Sequence, residues 1–190
     1  MKWINLMFAC ILATASCTGT TVNNNAAQQP QEQNIASNQN KLTEQYISQR
    51  LTDIFNEALN EDDHDLLALD RKFMSLEYNR LQDSAMQIAE RIDDIVIDSD
   101  HWIQGQDWTY ATMRIVSIED ITATTALARV NIIPHIPGSD NVITLLILPL
   151  VFERGDWYID NMQQYYEGKL LDEKAWYKKY VDSDGKMDNN

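Results

Sequence analysis

Apolar side chains recur at three- and four-residue spacings from Leu42 to Asn60, at Leu42, Tyr46, Ile47, Leu51, Ile54, Phe55, Ala58 and Leu59, which predicts an amphipathic helix. The acidic turn Asn60-Glu61-Asp62-Asp63 ends it, and Asp65 is placed to cap a short second helix through Leu66, Leu69 and Phe73. Ser75 precedes a third periodic run, with Glu77 and Glu90 outside and Tyr78, Leu81, Ala85, Ile88, Ala89 and Ile92 inside. The domain thus opens with three helices. From Ile95 the period changes: Ile95-Val96-Ile97 is short and β-branched and leads into the polar loop DSDHWIQGQDW. Ala111 to Ile118, Thr124 to Ile133, Val142 to Phe152 and Trp157 to Met162 then read as strands, divided by Asp120, by Pro134, Pro137 and Gly138, and by Gly155. Such short connections favour antiparallel pairing, because parallel strands need long crossovers. Val142 to Val151 is apolar on both alternating faces and is expected to be a central strand covered on both sides. Leu170 to Tyr180 predicts a terminal helix.

Ahead of these elements stands a different pattern. One cation at Lys2 is followed by an apolar run from Trp3 to Ala13, broken by Asn5, and then by small residues before Cys17. That is the three-part layout of an export signal. The run is about half of the ~20 apolar residues a permanent span requires. Thr14-Ala15-Ser16-Cys17 resembles a bacterial lipobox, although Thr14 stands where Leu is usual; an ordinary secretory signal cut near Ala15 is the alternative. The resemblance implies that residues 1–16 are removed and that Cys17 is acylated and holds the protein to a membrane. Cys10 would be discarded with the signal, leaving Cys17 as the mature chain's single cysteine, so a disulfide framework is excluded. Two or three acyl chains, at roughly 0.8 kcal/mol per buried methylene, anchor firmly. Residues 17–40 are rich in Asn, Gln and Thr and are expected to be a disordered tether. The lack of an acidic cluster after Cys17 favours the outer membrane facing the periplasm. Residues 41–181 form the expected α+β domain, and 182–190 a frayed tail.

Charge narrows the partners. Loss of Lys2 takes the formal charge from −14 to −15, and such a surface repels phosphate backbones, which excludes nucleic-acid binding. The acids are spread along the chain, for which solubility is the plain explanation.

Helices first and a strand meander afterwards is the order of an α+β domain whose helices cover one face of a curved antiparallel sheet. Asp98-Ser99-Asp100 leading to Gln106-Asp107-Trp108, together with Gly155-Asp156-Trp157-Tyr158-Ile159-Asp160-Asn161-Met162, resembles an uncharacterised bacterial family, domain of unknown function 3828, over roughly Lys41 to Val181. The resemblance implies the cone-shaped fold of the nuclear transport factor 2-like superfamily. Its members range from enzymes to binding modules, so it implies no single activity.

Two groups of residues are candidates for a site. Asp98, Asp100, His101, Gln106 and Asp107 fall within ten residues, and alternate oxygen ligands suit a hard cation such as calcium. Gly105 is off-register for a calcium loop and no Glu closes it, so short acidic side chains holding a turn are the stronger reading. The second group is aromatic: Trp157, Tyr158, Tyr165, Tyr166, Trp176, Tyr177 and Tyr180. It reads either as a terminal helix docked on the sheet or as a surface for a partner, since exposed Trp and Tyr anchor interfaces. His64, His101 and His135 all lie in predicted turns with no Ser or Cys nucleophile in a recognisable setting, so a hydrolytic triad has no basis. Tyr78, Met86, Met113, Leu146 and Trp157 are expected to point inward as core or as the lining of an apolar pocket. The residues favour a non-catalytic, lipid-anchored binding or envelope-maintenance module, requiring no cofactor, that takes a small apolar ligand or an envelope protein. An isomerase- or dehydratase-type enzyme using the cone cavity, and an immunity protein blocking a toxin, stand as the alternatives.

Overall fold

The computed structural model describes residues 39–59, 65–97, 100–104, 111–135 and 142–187. The signal segment, Cys17 and the tether up to residue 38 lie outside them, as do His64, Asp98, Gln106, Asp107 and Trp108. No helix among the described residues is long and apolar enough to cross a membrane.

Helices α1 (Glu44–Ala58), α2 (Leu66–Phe73) and α3 (Leu76–Ile92) come first, and each begins where a short polar side chain captures an amide of the first turn. Thr43 accepts from Tyr46 N, Asp65 from Leu67 N and Ala68 N, and Ser75 from Tyr78 N. Helix α3 stops at Asp93, whose left-handed backbone closes the last turn by returning Asp94 N to Ala89 O.

The rest is one antiparallel sheet. Strands β1 (Ala111–Glu119), β2 (Thr125–Pro134) and β3 (Thr144–Glu153) pair in sequence order, with a bulge in β1 between Ile115 and Ser117. Two shorter strands then lie along the same edge of β3: β4 (Asp156–Ile159) pairs with its C-terminal half and β5 (Gln163–Tyr166) with its N-terminal half. The sixth strand, β6 (Lys169–Asp172), closes the meander against β5. Helix α4 (Glu173–Asp182) follows directly, with Asp172 capping it through Ala175 N. Both tight hairpins use a residue with positive φ followed by glycine, Arg154-Gly155 and Glu167-Gly168, the backbone that matches the twist of two-residue turns.

The core lies between the three leading helices and one face of the sheet. Ile47, Leu51, Ile54 and Phe55 of α1, Leu69 and Phe73 of α2 and Tyr78, Leu81 and Ala85 of α3 form one cluster with Ala128, Val130 and Ile132 of β2 and Leu146, Leu148 and Leu150 of β3. Several expectations need correction. Strand β3 is central in its pairing, but among the described residues only one of its faces is covered by helices: on the other, Leu145 is 41 % exposed and Ile147, Pro149 and Val151 are half-buried. Residues 95–97 form no strand, and Ile95 is exposed. The terminal helix starts three residues later than its periodicity predicts, since Leu170 and Leu171 belong to β6. It packs against α3 rather than on the sheet. Of the residues expected inside, Tyr78, Leu146 and Trp157 are buried, Met113 is packed against the core, and Met86 is half-buried outside it.

Candidate functional site

A tight turn carries two rings into the helical layer. Asp100 Oδ1 accepts from Trp102 N at 2.8 Å and Ile103 N at 3.3 Å, and the turn so fixed buries both His101 and Trp102. Their common target is Asp70, which sits in the middle of α2 with no solvent exposure. Its Oδ1 accepts from His101 Nε2 at 2.9 Å and from Trp102 Nε1 at 3.0 Å, while Oδ2 accepts from Gln82 Nε2 of α3 at 2.6 Å. A carboxylate taken out of water is tolerated only when its lone pairs are filled, and three donors fill most of them. On the opposite side of the imidazole, Nδ1 faces Oε2 of Glu173, the first residue of α4, at 4.0 Å. That same oxygen accepts from Tyr78 Oη at 2.8 Å. Tyr177 stands edge-on to Tyr78 with ring centres 5.5 Å apart, and its hydroxyl lies 3.4 Å from Gln82 Nε2.

Electrostatics follow from this crowding. Burial by itself drives the imidazole to give up its proton, but the attraction of Glu173 and Asp70, with the Asp70 hydrogen bond, outweighs it and holds the His101 pKa up at about 9. His101 is therefore a cation at neutral pH, set between two carboxylates. Burial also raises Glu173 above its ordinary value, against the pull of His101 and the Tyr78 hydroxyl. The Tyr78 phenol is pushed well above its usual range and that of Tyr177 to about 12, burial being the largest cause in both. Gln82 Oε1 and Asn79 Oδ1 are buried without a hydrogen-bond partner among the described residues.

Chemically the cluster is occupied with itself. Nε2 is bonded to Asp70, and Nδ1 faces Glu173 at 4.0 Å, beyond hydrogen-bond distance, in a pocket where the ring is buried. A cavity of about 370 Å³ lies elsewhere, between α1 and β1, lined by Phe55, Leu59, Met113, Arg114 and Ile115 among others. Among the described residues no group of three or more His, Cys, Asp or Glu is arranged to hold a metal ion. Asp100 is thus placed in a turn, while Asp98, Gln106 and Asp107 lie outside the described residues.

The aromatic residues singled out by the sequence divide among four places. Trp157 is buried, with its indole N–H donating to Lys41 O at 2.7 Å. Tyr158 lies between the guanidinium groups of Arg154, 3.6 Å from its ring centre, and Arg50, at 5.8 Å. Trp176, 38 % exposed, stacks on Tyr180 along α4. Tyr165 and Tyr166 are more than half exposed on β5. Tyr165 belongs to a different feature, the sheet face that no described helix covers, while Tyr166, next along the strand, points to the opposite side. Leu146 pairs with Gln164, so Leu145 lies beside Tyr165, which in turn pairs with Leu170. Val142 and Ile143, just before β3, add two more exposed apolar side chains at that end.

Sequence reading passed over Asp70 and Glu173. Asp70 had a signal: it shares the spacing of Leu66, Leu69 and Phe73, the apolar face of α2, where an unpaired carboxylate is untenable. His135, which bonds Thr112 Oγ1 at 3.1 Å, plays no part in the cluster.

Comparison of the chain with models of protein families, with curated proteins and with solved structures finds no match in any of the three.

Proposed function

We propose that this protein is a lipid-anchored binding module of the cell envelope, acylated at Cys17, facing the periplasm from the outer membrane and receiving a protein partner on its open sheet face. The observation that carries this reading is the exposure of Leu145, Tyr165 and Leu170, side by side on neighbouring strands, with Ile143 just before β3, an apolar and aromatic set on a face that no helix covers among the described residues. Monomeric domains rarely leave large apolar side chains grouped in water, and where they do the group usually marks an interaction surface. The fold order, three helices followed by a meander and a closing helix, supports kinship with the domain of unknown function 3828 family and the cone-shaped nuclear transport factor 2-like superfamily. The isomerase or dehydratase reading asks for an acid or base at the foot of an open cavity, whereas His101 is buried, bonded to Asp70 and away from the cavity between α1 and β1.

The test is co-purification from envelope extracts with full-length wild type and Leu145→Glu/Tyr165→Glu. A partner retained by wild type and lost from the variant is expected; equal recovery of the same partner, or recovery of none after crosslinking, rejects the sheet-face reading. A toxin among the captured proteins would turn it into an immunity protein. Membrane fractionation of Cys17→Ala tests the anchor separately: release into the soluble periplasmic fraction is expected, and unchanged membrane association overturns it.

A further inference from the structure

The His101 cluster joins α2 and the neighbouring α3 to α4, which is distant from both along the chain and is the last element of the fold. We propose that the cluster is a proton-operated clasp, in which the protonated ring of His101, gripped between Asp70 of α2 and Glu173 of α4, keeps the first turns of the C-terminal helix closed on α3, and loss of that proton lets them open. The inference is independent of what binds the sheet.

The groups that face the imidazole define how it works. Asp70 approaches from α2, Tyr78 from α3, and Glu173 from α4; Gln82 of α3 and Tyr177 of α4 stand behind them, and Asp100 belongs to the ring's own turn. With the proton in place, one cation separates the buried Asp70 carboxylate from the half-buried one of Glu173. Without it, Nε2–H still donates to Asp70, but Nδ1 turns a bare lone pair toward Glu173, and two negative groups share a pocket with no cation among these neighbours. Removing one member of a buried charge set leaves the others uncompensated, which is costly. Tyr78 Oη still donates to Glu173, so the pocket loosens at its weakest joint, the 4.0 Å contact between ring and carboxylate, rather than at the bonded one. Outside the pocket, α4 is held by polar ties: Lys174 to Asp160 at 2.7 Å, Asn161 to Asp172 at 2.8 Å and Tyr180 to Asp94 at 2.7 Å. Opening of the first turns around Glu173 and Tyr177 has to give up the ties at Asp172 and Lys174, which flank Glu173, and bares Tyr78.

The pH window follows from the sign of the shift. His101 titrates higher in the fold than in an open chain, so its stabilisation is complete below about 6.5 and is lost as pH rises through about 9. Glu173, raised by burial, acts in the same direction, because its ionised form is tolerated in the fold chiefly opposite the cation.

Hydrogen exchange followed by mass spectrometry on the full chain between about pH 7 and 10.5, corrected for intrinsic exchange, reads the opening directly, and a ring-proton titration by NMR reads His101. Protection of residues 173–182 is expected to fall about ten-fold or more with a midpoint near pH 9, while residues 144–153 keep theirs. In Glu173→Gln the midpoint should move down by about one pH unit, because half of the grip on the proton is gone. In His101→Gln the step should vanish. Flat protection of 173–182 across the range would overturn the clasp. So would a step at the same pH in Glu173→Gln, since the titrating group would then lie elsewhere. If His101→Gln fails to fold, the Glu173→Gln midpoint alone decides the matter.

Discussion

One face of β2 and β3 is sealed with carbon alone, by Ala128, Val130, Ile132, Leu146, Leu148 and Leu150, while the same core buries Asp70, Gln82 and His101 between α2, α3 and the 100–104 turn. The two regions exclude water equally well by opposite means. Under the sheet each side chain contributes its area, roughly 25 cal/mol per Å², and neighbours of similar volume can replace one another. At His101 the charged groups are tolerated because named partners meet them, and removing one leaves its partner uncompensated. The apolar face supplies most of the stability; the polar pocket decides which elements meet and makes their meeting depend on protons.

Mutations can set the two regions against each other. Asp70→Ala should be the most damaging change, about 3 to 5 kcal/mol at pH 7 by urea unfolding, because it strips the buried cation of its bonded partner. That loss should shrink above pH 9, where wild-type His101 has given up its proton. Leu148→Ala should cost about 3 kcal/mol for the lost area and the cavity left behind. Measured at pH 7 and again at pH 9.5, its cost should be the same within error, since no charge is involved; a strong pH dependence would break the contrast.

The capping carboxylate of α4 offers a smaller effect with the opposite pH sign. Burial alone would raise the pKa of Asp172, but hydrogen bonds from Ala175 N, Asn161 and Gln163 outweigh it and hold it below the ordinary value. The stabilisation is present above about pH 4 and is lost as pH falls through the lowered value. Asp172→Ala should therefore cost about 1 kcal/mol at pH 7, kept modest by solvent screening, and close to nothing near pH 2 in thermal melts. Together with His101 this confines a well-docked α4 to a window between acid and alkali. Smallest of all should be Leu145→Ser on the open face, within about 0.5 kcal/mol of wild type, because that side chain already meets solvent. A large loss there would mean that the face is covered.

How far the chain can be read without its fold differs between these regions. Helices α1 to α3 and strands β1 to β4 were legible because each signal is local: a cap three residues from the amide it bonds, and apolar positions spaced at 3.6 or at 2. The β5–β6 hairpin was hidden, because Leu170 and Leu171 fit the period of the helix that follows, although Glu167-Gly168 between Tyr165-Tyr166 and Leu170-Leu171 carries the turn chemistry. Periodicity marks a strand as apolar but cannot say whether the far face will be covered, which is why β3 looked doubly buried and is not.

By itself, then, the sequence determined the kinds of element, their order, and their caps and turns, since all of these rest on residues within a few positions of one another. Only the tertiary structure decided the rest. His101 meets Asp70 across 31 residues and Tyr78 meets Glu173 across 95, and no local pattern pairs groups at such separations. A buried charge is set by where its partners arrive in space, so its pKa and its role belong to the fold.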